Sequence, residues 1–133
     1  MNKILLLLVM IFLHIVDDYY LQGWLASAKQ KSYWEQNAPD KLYRYDYIMA
    51  LFMHSFSWSF MVTIIPFIIV INIYPTNDLS SIVIGFFVVN LFIHMIADHY
   101  KANLKWINLI QDQLFHLAQI FAVWCFFIEK VII

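Results

Sequence analysis

Ile4 to Leu13 are ten consecutive apolar residues, and the run ends in a histidine and two acids, His14, Asp17 and Asp18. The same alternation of long apolar stretches and short polar breaks divides the whole chain. It predicts four helical spans: Lys3–Leu25, Tyr47–Tyr74, Leu79–Asp98 and Asn108–Ile133. Each is long enough to cross ~30 Å of hydrocarbon at ~1.5 Å rise per residue. The expected architecture is all-α: a single domain over residues 1–133, with four transmembrane helices in an antiparallel bundle. Pro66 lies within the second span, where a kink is expected. Tyr74 to Asp78, "YPTND", reads as a tight turn, with Pro75 stopping one helix and Asn77 or Asp78 capping the next. The connection Ala28–Asp46 is polar but rich in Tyr and Trp, so part of it is expected along the membrane surface.

Composition supports a membrane protein. Only 13% of the residues are charged, against about 25% in soluble domains. The net charge of −1 gives no basic field for nucleic acid, and none is expected as a partner. The lipid bilayer is the expected partner, and a second copy of the chain is left open. Cys125, alone of its type, reads as a packing residue in an apolar run. Only Gly23 and Gly85 are glycines, which excludes a glycine-rich phosphate loop. Lys3, the apolar run and the "ASA" of Ala26 to Ala28 mimic a signal peptide, but the acidic, aromatic stretch between them favours a retained first helix. Lys29, Lys31, Lys41, Arg44, Lys101 and Lys105 fall in the first and third connections, and only Lys3 and Lys130 on the other side. Basic residues stay cytoplasmic, so both termini are expected to face outward from an inner membrane of bacterial type.

The polar residues inside the spans follow one pattern. His14 and Asp18, His94 and Asp98, and Asp112 and His116 are each four apart, the last pair in reversed order. Residues four apart share a helix face. A helix returning in the opposite sense with its order reversed puts all three histidines at one depth and the aspartates at another. His54, two turns into the second span, falls level with them. The two hairpins resemble an imperfect internal repeat, with Ala50 where Asp112 would correspond.

An aspartate at mid-membrane costs ~3 kcal/mol, so three would cost roughly 9 unless something neutralises them. Asp–His hydrogen bonds within each helix are the plain solution. A divalent cation is the other, and imidazole with carboxylate suits the transition metals Zn, Mn, Fe or Ni. The candidate ligands are His14, Asp18, His54, His94, Asp98, Asp112 and His116. Asp18, Asp98 and Asp112 are also the candidate catalytic carboxylates, and antiparallel bundles build metal sites in this way. Asp17 is expected to be solvated and His99 to face water, and Gln22 reads either as a donor behind the ligands or as an ordinary interfacial glutamine. The lysines Lys29, Lys31, Lys101 and Lys105 read either as topology signal or as a cradle for phosphate headgroups.

"HIVDDYYLQGWLASAK" resembles the opening of the small bacterial and phage membrane proteins grouped as domain of unknown function 3307, and "HMIADHYK" and "DQLFHLAQ" resemble their later elements. The resemblance covers nearly the whole chain and implies the four-helix membrane fold. It marks His14, Asp18, Gln22, His54, His94, Asp98, Lys101, Asp112, Gln113 and His116 as matching positions. Asp17 beside Asp18, and Tyr19 in place of Phe, are departures. The family brings no established activity.

Three functions fit these residues. The first is a metal-dependent hydrolase acting on a lipid or lipid-phosphate. The second is a metal or proton-coupled transport element, disfavoured by the few polar groups (Thr63, Asn72 and Asn90) in the far halves of the helices. The third is a structural or regulatory membrane protein whose polar layer fixes helix register.

Overall fold

A chain that is apolar over whole spans must satisfy its backbone groups within each segment, and helices do so. The computed structural model describes residues 2–73 and 79–129, and every element among them is helical. Helix α1 is Lys3–Ile15, started by Asn2, whose side chain accepts from the Ile4 amide, and it widens into a π-helical turn at Val16–Leu21. Two short helices follow, α2 at Leu25–Ala28 and α3 at Lys31–Asn37, and then a 3-10 turn at Lys41–Tyr43. The long helices are α4 at Asp46–Ile73, α5 at Leu79–His99 and α6 at Leu109–Phe127. A second π turn, Tyr100–Leu104, extends α5.

Among the described residues, three stretches are long and apolar enough to cross a membrane: Lys3–Leu21, Lys41–Ile73 and Ser81–Leu104. Helix α6 has 19 residues but is not one of them. Gln111, Asp112, Gln113, His116 and Gln119 dilute its apolar character, and residues 130–133 of the expected fourth span lie outside the described residues.

The ends of the elements differ from expectation for local reasons. The first helix stops short of Leu25 because Gly23 turns the chain at φ 49, a left-handed conformation that glycine adopts without steric cost. The Ala28–Asp46 connection is folded, not merely polar. Trp24, Tyr33, Trp34 and Tyr43 pack edge-on or stacked, and Trp34 Nε1 donates to the Ala28 carbonyl at 2.7 Å. Pro66 sits buried inside α4, and the helix runs on through it to Ile73. Asn108 caps α6 reciprocally with Gln111. The expected turn Tyr74–Asp78, Lys130 and the last residues of the fourth span lie outside the described residues.

Burial is inverted relative to a soluble helix. Helix α5 exposes Ile84, Val88, Phe92 and Ile96 while it buries Asn90, His94 and Asp98. Leu6, Met10, Trp58, Val62, Ile120, Val123 and Phe127 form an apolar core beyond this polar layer. Cys125, read as a packing residue, is exposed on the outer face of α6.

Candidate metal centre

Each long helix contributes one imidazole to a common layer. Trp58 of α4, four residues after His54, stands in the middle of it. Its indole stacks on His94 at 4.3 Å and 19°, and lies 5.8 Å from His14 and 5.4 Å from His116. His94 in turn stacks on His116 at 4.2 Å and lies 5.0 Å from His54. His14, His54, His94 and His116 are all at most 2% exposed. The sequence reading missed Trp58. Its spacing from His54 puts it on the same helix face, and that was the available signal.

The protons of this layer are fixed by its hydrogen bonds. Trp58 Nε1 donates to His14 Nδ1 at 2.7 Å. The His14 proton must then sit on Nε2, where it is donated to Gln113 Oε1 at 3.1 Å. That orients the Gln113 amide, whose Nε2 donates to Asp18 Oδ2 and Asp112 Oδ2 at 3.0 and 3.2 Å. Gln22 Nε2 donates to Asp18 Oδ1 at 2.9 Å, the first of the two roles read for it.

Two groups of side chains bring three ligand atoms together within 4.8 Å: Asp18, His54 and His94, and His94, Asp98 and His116. For bonds of ~2.1 Å, tetrahedral ligand atoms stand about 3.4 Å apart. His54 Nε2 lies 3.1 Å from His94 Nε2, 3.2 Å from Asp98 Oδ2 and 3.4 Å from Asp18 Oδ1. His116 Nε2 lies 3.8 Å from Asp98 Oδ1 and 3.6 Å from Asp112 Oδ1. These last three atoms are all buried without a hydrogen-bond partner. Buried polar atoms normally have one, so the convergence of three bare donors fits a cation. His94 Nδ1 and His116 Nδ1 also lack the second partner that usually orients a ligating imidazole. Ring stacking holds them instead. The structure thus brings His54, His94, His116, Asp18, Asp98 and Asp112 into ligand range of a neighbour. His14 has both ring nitrogens engaged and lies outside both groups.

Two lysines complete the site in a way the sequence did not indicate. Lys29 Nζ pairs with Asp98 Oδ2 at 2.6 Å, both side chains buried, and Lys101 Nζ pairs with Asp112 Oδ2 at 2.5 Å. Each carboxylate therefore gives one oxygen to a lysine and leaves the other bare towards His116. Lys29 is held in place because Asn103 bridges the connection: it donates to the Lys29 carbonyl and accepts from the Lys31 amide. Lys101 faces Asp112 from the π turn that extends α5.

Two expectations are corrected. Asp17 is buried, not solvated, and accepts from Ser57 Oγ. The π turn takes more residues per turn than an α-helix, so adjacent Asp17 and Asp18 both face neighbouring helices. His99 is half-buried and stacked on Tyr47 at 6.2 Å, not turned to water.

Fold and site together define a helical protein with three membrane-length helices and a buried His/Asp cluster whose spacing can hold a metal ion. Comparison with protein-family models, curated proteins and solved structures finds no match for this chain.

Proposed function

We propose that the chain is an integral membrane protein with an intramembrane site for one divalent transition metal, and that it works as a metal-dependent hydrolase on a lipid or lipid-phosphate. The observation that carries the metal reading is the convergence of Asp98 Oδ1, Asp112 Oδ1 and His116 Nε2, buried and unpartnered. His94, His116 and Asp98 are the core ligands, with His54 and Asp112 beside them and Asp18 left uncoordinated. Both groups use His94, so one ion at His94, Asp98 and His116 is the simplest occupancy.

A divalent ion bound there supplies Lewis acidity to an oxygen of substrate or water. The residues of the chain do the rest. Asp18 lines the cavity that opens beside the cluster, and as a carboxylate it accepts the proton of an attacking water. Gln22 and Gln113 hold that carboxylate in place. Asp98 and Asp112 stay oriented by Lys29 and Lys101.

This reading includes a fourth span at α6 and an antiparallel bundle. Support comes from contacts at both ends of one helix pair: Trp124 Nε1 donates to the Lys3 carbonyl at 2.8 Å, and His14 meets Gln113. It also includes outward termini, a bacterial inner membrane, and membership of the family of domain of unknown function 3307, each resting on the sequence patterns alone.

The second reading is structural, and the lysine pairs favour it: Lys29 and Lys101 already neutralise two of the acids, so the layer could fix helix register without metal. Purification in mild detergent, with bound transition metals quantified in the parent and in His94→Ala/His116→Ala, separates the two. Stoichiometric metal lost in the double variant is expected. A metal-free parent whose melting ignores chelator leaves the structural reading.

A further inference from the structure

A cavity of about 450 Å³ opens beside the cluster on the face that carries the lysines, lined by Asp18, Gln22, Lys29, Lys101, Lys105 and Gln113 among others. A second, of about 510 Å³, lies between α1 and α6 and is lined mostly by apolar groups, including Ile11, Ile15, Tyr20 and Leu117. Tyr19 and Gln113 line both, so the polar chamber and the apolar groove adjoin. A basic chamber adjoining an apolar groove fits an amphiphile with an anionic head.

The charges say which head. Lys29 and Lys101 are each bound to a carboxylate. Lys105 is exposed, makes no ion pair among the described residues, and lines the chamber. It also stands at φ 56 and ψ 34, left-handed, and it is the one non-glycine residue with positive φ among the described residues. Asn or Gly would sit there with less strain, so backbone preference does not explain a lysine at this position. A dication in the cluster would add two positive charges behind Asp18 and tip the chamber towards an anion of high charge.

We propose that chamber and groove together bind one lipid with a phosphate-monoester headgroup, the phosphate at Lys105 with Lys101 and Lys29 nearby, and an acyl chain between α1 and α6. This rests on the proposed reading of the cluster as a metal-dependent site for lipids, and it names the ligand and its path.

The test uses the full chain in mild detergent, with bound lipid counted by native mass spectrometry. The probes are dioctanoyl phosphatidic acid, dioctanoyl phosphatidylcholine and inorganic phosphate. Retention of phosphatidic acid over phosphatidylcholine is expected. Lys105→Asn, tolerated by the left-handed backbone, should weaken it about fivefold, which is what ~1 kcal/mol per basic residue near a lipid surface amounts to. Leu117→Trp, exposed on α6, should fill the groove and block the lipid while leaving the melting temperature unchanged. Equal retention of the two lipids, or full retention in Leu117→Trp, overturns the proposal. Displacement of phosphatidic acid by inorganic phosphate at equal affinity also overturns it, in favour of a free-phosphate site. Metal content read on the same samples keeps the two ideas apart. A metal-free parent that still selects phosphatidic acid removes only the metal reading, and a metal-loaded parent that does not select it removes only the lipid site.

Discussion

Lys29 and Asp98, 69 positions apart in the chain, meet as a buried ion pair with Nζ 2.6 Å from Oδ2. The pair ties the connection after α2 to the end of α5, and it holds Asp98 so that its other oxygen faces His116. Removing one member of a buried pair leaves a bare charge, which costs about 3–5 kcal/mol. Lys29→Met should therefore destabilise the protein by that order in a detergent unfolding titration, and Lys29→Met/Asp98→Asn should recover much of the loss. A single variant as stable as the parent would show that the pair contributes nothing.

The metal reading sets His14 apart from the other three histidines. His94→Ala and His116→Ala should each lose bound zinc or nickel in equilibrium dialysis. His14→Gln should keep it, since both His14 nitrogens are engaged by Trp58 and Gln113. Metal lost equally in all three variants would place His14 in the ligand shell after all.

Ligand that binds only the folded state stabilises it, by ~2.7 kcal/mol at a hundredfold excess over Kd. Zinc should raise the melting temperature of the parent, and raise that of Lys29→Met further, because the ion takes over the charge the lysine left behind on Asp98. If zinc stabilises the variant less than the parent, Lys29 and the metal do not share that carboxylate.

Trp58 both stacks on His94 and donates to His14. Trp58→Phe keeps a ring in the layer but leaves His14 Nδ1 buried without its donor, at a cost of about 1–3 kcal/mol. The loss should shrink in Trp58→Phe/His14→Leu, which removes the orphaned acceptor as well. Equal losses in the single and double variants would show that the hydrogen bond is not what the indole contributes.

Asp17 depends on Ser57 in the same manner. Its Oδ1 accepts from the hydroxyl, and its Oδ2 is buried with no partner. Ser57→Ala should cost about 1–3 kcal/mol, and Asp17→Asn in that background should restore part of it. Unfolding midpoints of the three variants decide.

The histidine layer was legible because helical spacing is a property of the chain alone. His14 with Asp18, His94 with Asp98, and Asp112 with His116 declare shared faces at four-residue intervals, and apolar runs around them declare helices. The π turns were not legible. Nothing in "VDDYYL" or "YKANL" separates a wide turn from an ordinary one, and the width of the first decides that Asp17 is buried beside Ser57. The fourth span is written less plainly than the others, because Gln111, Asp112, Gln113, His116 and Gln119 interrupt its apolar residues.

By itself the sequence determined that the chain is helical, that several helices are of membrane length, and that each carries one histidine, three of the four sharing a face with a neighbouring acid. Periodicity and hydropathy act along the chain, so no partner is needed to read them. Only the tertiary structure decided that Trp58 stands among the four imidazoles, that His14 is spent on hydrogen bonds, and that Lys29 and Lys101 each hold one oxygen of a carboxylate. Those outcomes depend on which side chains meet across helices, at ångström separations that spacing along the chain does not fix.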